Sequence, residues 1–247
     1  LKELAGAASV TCLPIDYSAP PRATLGCSFI GLLGVLQKIG LIKDKTAQIE
    51  EMLNILERFP MRLGMEGSAE SRHLLIESMK RAYQDRSLHA ADPAFFPVPV
   101  DRLTGKAYAA ELAEAIRLDR STPSADLAPL PGGEGEGAES DSTTHYSIID
   151  PAGNPVTNTY TLNGFYGSQV IAKGTGVLLN DIMSAFAARS GQRNEVAPGK
   201  RPVSSMTPTI VLRPDGTPWF ALGSPGAATI PNTVLQVIVN LVDYRMS

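Results

Sequence analysis

The 247-residue chain is 43% apolar and 19% charged, a globular composition long enough to bury a sizeable core, which excludes a disordered chain. Its 22 basic and 25 acidic residues leave a net charge of −3, which argues against a nucleic-acid partner because phosphate binding needs a basic field. Two cysteines, Cys12 and Cys27, exclude a disulfide scaffold and a four-thiolate zinc site.

The chain opens at Leu1 without an initiator Met, a charged n-region or a small-residue cleavage site, so its natural N-terminus is expected upstream and targeting cannot be read. Its most apolar stretch, Gly26 to Ile42, is short and broken by Gln37 and Lys38, so no membrane span is expected in this chain. Ile49, Met52, Leu53, Leu56 and Phe59 recur at three and four residues, which predicts a helix ended by Pro60. Ser68 caps a second helix carrying Leu74, Leu75, Met79, Ala82 and Tyr83. His73 and His89 lie sixteen apart with no third ligand nearby and read as ordinary surface or core histidines, not a metal site.

Composition changes near residue 142. Residues 1–142 carry 15 basic and 20 acidic residues, and residues 143–247 carry 7 and 5. Asp119 to Ser142, with Pro123, Pro129, Pro131 and the glycine-glutamate run 132–137, reads as a surface linker. From Thr144 to Ile149 the side chains alternate as a strand requires, and Asp150–Asn154 is a turn before a second strand at Val156–Thr161. Pro214-Asp215-Gly216 joins another hairpin, Thr209–Arg213 with Trp219–Leu222. Pro231 opens a last helix whose polar stripe is only Gln236, Asn240 and Asp243, which predicts burial on most sides. Helices followed by hairpins and a buried helix predict a layered α+β domain.

Common catalytic motifs are mostly missing. The acidic glycine run lacks the Lys-Ser/Thr of a phosphate loop, and Leu222-Gly223-Ser224-Pro225-Gly226 has Leu where a nucleophile elbow has its first Gly. Two hydroxyl-rich segments remain, Ser142–Ser147 and Lys200–Thr209, the latter followed by Gly223–Ala227. Ser and Thr suit strands and caps, which accounts for such runs without chemistry. The functional alternative is specific. Were the chain cut between Ser142 and Thr143, Thr143 would carry both a hydroxyl and a free α-amine. With a pKa near ~8, that amine can take the hydroxyl proton. A flexible linker just upstream is what self-cleavage and retreat of the new ends need.

Thr143-Thr144-His145-Tyr146-Ser147-Ile148-Ile149-Asp150 resembles the small-subunit start of the γ-glutamyltransferase (glutathione hydrolase) family. The resemblance continues through Thr159–Asn163, Gly176–Asn180, Lys200–Thr209, Gly223–Gly226 and Thr233–Gln236. Upstream, Gly67–Glu70 and Met79–Arg86 resemble the large subunit, while the first forty residues match only at Ala19-Pro20-Pro21. The resemblance implies a four-layer αββα sandwich of the N-terminal-nucleophile hydrolase type, here as a partial chain. Residues 1–142 would end the helical large subunit, and 143–247 would begin the small catalytic subunit. It implies self-cleavage between Ser142 and Thr143, with Thr143 as nucleophile and Thr161 supporting its hydroxyl. Asn163, Ser204 and Ser205 would bind the substrate's α-carboxylate and α-amine, and the N–H groups of Gly226 and Ala227 would form the oxyanion hole. Ala227, where the family has Gly, would keep the N–H and add only a methyl.

Three departures stand out. Ile182 and Ala185 occupy places where the family has polar groups that hold the α-amine of a γ-glutamyl unit, and apolar side chains cannot pair with an ammonium. The span from Phe186 to Lys200 is shorter than in members with a lid loop, so an open pocket is expected. The chain is expected to lack the family's C-terminal strands and its carboxylate-binding Arg. The implied function is amide hydrolysis or acyl transfer on glutathione or other γ-glutamyl amides, with water, an amino acid or a peptide as acceptor. The alternatives are an acylase for substrates without an α-amine, like the cephalosporin acylases, and an inactive relative or fragment. The implied partners are a small acyl amide and the chain's own cleaved subunits as a heterodimer. No metal or organic cofactor is implied, and only the resemblance points to a periplasmic or extracellular place.

Overall fold

A computed structural model describes residues 47–61, 65–127, 142–187 and 190–246. Cys12, Cys27, Ala19-Pro20-Pro21, the Gly26–Ile42 stretch and the glycine run of the linker lie outside the described residues. Helix α1 spans Ala47–Leu56 and α2 spans Ala69–His89. A short α3, Val100–Leu103, and α4, Lys106–Glu114, follow. Strands β1, Thr143–Ile149, and β2, Pro155–Thr161, form one antiparallel hairpin. Strands β3, Thr209–Leu212, and β4, Pro218–Leu222, form another. Helix α5 spans Ile230–Val242 with Pro231 in its first turn. The described chain is therefore mixed helix and sheet, with its strands in two two-stranded hairpins.

Helix α1 stops at Leu56, short of the expected Phe59. Arg58 N donates to Ile55 O at 3.2 Å and Phe59 N to Leu56 O at 3.0 Å, a tightened last turn, and the residue before Pro60 is steered out of the helical region. Ser68 does cap α2, accepting from Ser71 N at 3.1 Å. What periodicity did not announce is a buried polar stripe on α2, formed by Ser71, Glu77, Ser78, Arg81 and Asp85. Arg81 Nη1 pairs with Glu77 Oε2 at 2.7 Å, and Glu77 Oε1 also accepts from Thr122 N at 3.0 Å. Burial alone would push the Glu77 carboxyl up, but bonds from Thr122, Lys80 and Arg81 outweigh it and hold the group at about 2. The pair pins the chain at Thr122, near the start of the linker.

The core has two parts joined by α5. Leu235, Val239 and the following Tyr244 pack with Met52, Ile55, Leu74, Ala82, Ala109 and Ala113 of the helices. Ile230, Val234 and Ile238 pack with Ile49 and with Val211, Phe220 and Leu222 of the second hairpin. Helix α5 thus buries two adjacent faces, one on helices and one on a sheet. It is less enclosed than its composition predicts. Gln236 is exposed, but so are Thr233, Val237 and Val242, while Asn240 and Asp243 are only half-buried.

Candidate active site

The β1–β2 register sets Thr143 opposite Thr161, His145 opposite Thr159 and Ser147 opposite Thr157. Residues two apart share a face of a strand, so a hydroxyl-and-imidazole ladder runs along one side of the hairpin. At its start, Thr143 Oγ1 donates to Thr161 Oγ1 at 3.3 Å. Thr161 Oγ1 donates to the carbonyl oxygen of Ser142 at 3.3 Å and accepts from Asn163 N at 2.8 Å. The four residues singled out around position 143 therefore form one hydrogen-bonded cluster. It contains the Ser142–Thr143 bond, the hydroxyl that could attack it, and a second hydroxyl touching both.

Asn163 is buried and has a φ of 73°, a left-handed conformation that Asn tolerates better than most side chains. Its amide Nδ2 donates to Ser184 Oγ at 2.6 Å. Ser184 belongs to a 3-10 turn, Ile182–Ala185, so the cluster around Thr143 is tied to the two departure positions. Ala185 is buried and Ile182 half-buried.

Ser204 and Ser205 are held from α2. Arg86 Nη2 donates to Ser205 Oγ at 3.0 Å and Arg86 Nη1 to Ser204 O at 3.3 Å. Tyr83, one turn earlier, donates to the carbonyl of Ala228. Asp92 is buried and accepts from Arg201 N at 2.8 Å, Nε at 3.1 Å and Nη2 at 2.7 Å. These bonds from Arg201, opposed only in part by burial, hold the Asp92 carboxyl well below the usual carboxylate range. Sequence reasoning placed Tyr83 on the apolar face of its helix and assigned no site role to Tyr83, Arg86 or Asp92. Their polar spacing on α2 and just beyond it was visible, but partners 109 to 145 residues away were not.

The Gly223–Ala227 loop leads from β4 into α5. Gly226 has a φ of 126°, open in practice only to glycine. Ala227 follows at φ 51°, also left-handed. Its methyl is therefore not neutral, because a Cβ in this region costs about 1–2 kcal/mol. Among the described residues no group of three or more His, Cys, Asp or Glu side chains could hold a metal, and no helix is long and apolar enough to cross a membrane. His73 Nε2 bonds Arg117 O at 2.7 Å, and His89 Nε2 lies 3.8 Å from Asp85.

A gamma-glutamyltranspeptidase family model matches residues 40–247. The chain belongs to the gamma-glutamyltranspeptidase family. It is 43% identical over 209 residues to a glutathione hydrolase proenzyme of Escherichia coli K12, covering 81% of this chain and 35% of that protein. It is 44% identical over 199 residues to the acylase ACY 1 proenzyme of Pseudomonas sp. SE83, covering 81% of this chain and 34% of that protein. Among solved structures, the cephalosporin acylase of Bacillus halodurans superposes with a TM-score of 0.65 at 23% identity, over 81% of this chain and 34% of that one. The transpeptidase-family chain thus spans about a third of the length of the curated relatives it matches.

Proposed function

We propose that this chain belongs to a self-processing γ-glutamyltransferase-type hydrolase and acyltransferase that works through Thr143. The supporting observation is the bond sequence Thr143 Oγ1 to Thr161 Oγ1 to Ser142 O, at 3.3 Å each, placed at a strand start. In processing, Thr143 Oγ adds to the Ser142 carbonyl carbon, and the hydroxyl proton ends on the Thr143 nitrogen as the peptide C–N bond breaks. Water then hydrolyses the resulting ester. This leaves a carboxylate on Ser142 and a free amine and hydroxyl on Thr143.

In turnover, the new α-amine takes the Thr143 hydroxyl proton, the oxygen attacks the substrate amide carbon, and the amine leaves with that proton as the C–N bond breaks and an acyl ester forms on Thr143. The N–H groups of Gly226 and Ala227 stabilise the oxyanion, and the acyl group leaves Thr143 for water or an amino-acid or peptide acceptor. Asn163, Ser204 and Ser205 bind the substrate's polar end. The two cleaved parts, 1–142 and 143–247 with their flanking sequence, stay together as a heterodimer. The helices α1 and α5 against one hairpin are read as two layers of an αββα sandwich.

The test uses the full-length gene product on a denaturing gel. Wild type gives two chains, one with Thr143 as its first residue, while Thr143→Ala stays intact and inactive. Splitting at this bond in the Ala variant would mean an external protease and would end the reading.

A second substrate reading is favoured by Ile182 and Ala185, which leave a γ-glutamyl ammonium without partners. A hydrogen bond to a charged group is worth about 1.5–3 kcal/mol, so a glutaryl-type acyl group would gain about tenfold to a hundredfold over glutamyl. Comparing kcat/KM for γ-glutamyl and glutaryl anilides in wild type and Ala185→Asp checks this. Strong wild-type preference for γ-glutamyl, unchanged in Ala185→Asp, would place the amine elsewhere.

A further inference from the structure

We propose that His145 is a positioning residue that locks the Gly223–Ala227 loop onto the strand carrying Thr143. This rests on Thr143 being the nucleophile and Gly226 and Ala227 the oxyanion donors.

His145 stands two residues from Thr143 on the same face of β1. Both ring nitrogens are engaged. Nδ1 bonds Thr159 Oγ1 at 2.9 Å, and Nε2 bonds Ser147 Oγ at 3.1 Å and Thr157 Oγ1 at 3.3 Å. Burial lowers the His145 pKa, so the ring is neutral near pH 7, one nitrogen donating and the other accepting, a pattern that rotatable hydroxyls can satisfy. The ring orientation is thereby fixed from both sides.

The ring and its partner Thr157 meet two consecutive residues at the end of the second hairpin, Leu222 through Thr157 and Gly223 directly. Thr157, which shares Nε2 with Ser147, donates its hydroxyl to Leu222 O at 3.0 Å. Gly223 lies so close over the imidazole that a Cβ built there would overlap Cε1 and Nδ1 of the ring. Glycine at 223 is thus a requirement of approach and not of φ. The loop leaves β4 from this contact and reaches Gly226 three residues later. His145 therefore sets how near the loop comes to β1, and with it the distance from the oxyanion N–H groups to the carbon that Thr143 attacks. The site's two halves are carried separately, the nucleophile by the first hairpin and the oxyanion donors by the loop that follows the second. Imidazole against glycine, beside the Thr157 to Leu222 bond, fits them together.

The test is a double-mutant cycle in the full-length gene product, with kcat and KM measured on a γ-glutamyl anilide. Gly223→Ala should lower kcat about tenfold or more with KM within about twofold, because a small misplacement of transition-state donors penalises the chemical step. Removing the ring should reverse much of this, so Gly223→Ala with His145→Ala should turn over at least about threefold faster than Gly223→Ala alone. A double variant no faster than Gly223→Ala would overturn the proposal. If His145→Ala does not fold, His145→Asn, which keeps a donor and an acceptor in less volume, runs the same cycle with the same criterion. Failure of the nucleophile reading would be seen separately, as activity surviving in Thr143→Ala.

Discussion

The hydroxyls of Thr143 and Thr161 meet at 3.3 Å because the hairpin register sets the two residues directly across from each other at the open end of β1 and β2. Thr161 then reaches on to the Ser142 carbonyl. One side chain thereby contacts the oxygen that attacks and the oxygen on which charge develops in the proposed self-cleavage. Replacing it by valine keeps the shape and the β-branched stiffness but removes both bonds, together with the one it accepts from Asn163 N. Under the proposed mechanism Thr161→Val should slow self-cleavage about a hundredfold, the scale of a lost proton-transfer partner, while Thr161→Ser stays within about tenfold. A gel time course of freshly translated precursor reads this. Cleavage of the Val variant at the wild-type rate would remove Thr161 from the chemistry.

Arg86 carries a prediction about substrate binding. Its guanidinium contacts Ser204 O and Ser205 Oγ together, a forked geometry that lysine cannot copy. If those serines bind the substrate carboxylate, Arg86→Lys should raise KM for carboxylate-bearing substrates about tenfold, from the loss of one or two charge-assisted bonds. A substrate without that carboxylate should be little affected. Equal KM changes for both would mean that Arg86 supports the fold and not the serine pair.

The buried carboxyl of Glu51, on α1, is the source of a pH dependence. Burial pushes it up to about 9, with the hydrogen bond and charge of Asp85 on α2 adding to the shift. Tyr108 of α4 donates to the same Asp85 at 2.8 Å. Folded Glu51 therefore keeps a proton that the unfolded chain releases above its ordinary value of 4.5. A raised folded pKa contributes stability that is fully present below that ordinary value and is lost as pH rises toward about 9. Glu51→Gln keeps the donor without the titration. Its Tm should fall less than that of wild type between about pH 5 and 9, as the linkage requires. Parallel Tm curves would show that Glu51 is ionised in the fold.

The sequence by itself determined the local elements and where the candidate nucleophile sits. Alternation over 144–149, the turn at Asp150–Asn154 and the strand to Thr161 specify a hairpin, since period and turn chemistry are properties of neighbouring residues. Ser68 as a cap and Pro231 as a helix opener are equally local. Family motifs supplied the list of site residues. The tertiary structure decided what those residues touch. Arg86 finds Ser205 across 119 residues, and Asp92 finds Arg201 across 109. The charged stripe of α2 is buried, not solvated, because its partners arrive from α4, from Ala115 just after it and from the linker entry. Glycine at 223 looks like loop punctuation in the sequence, and only the imidazole above it gives the reason. Ala227 looks like a harmless methyl until its φ is known. Long-range contacts and backbone sign depend on how hairpins and helices pack, and no local periodicity encodes that.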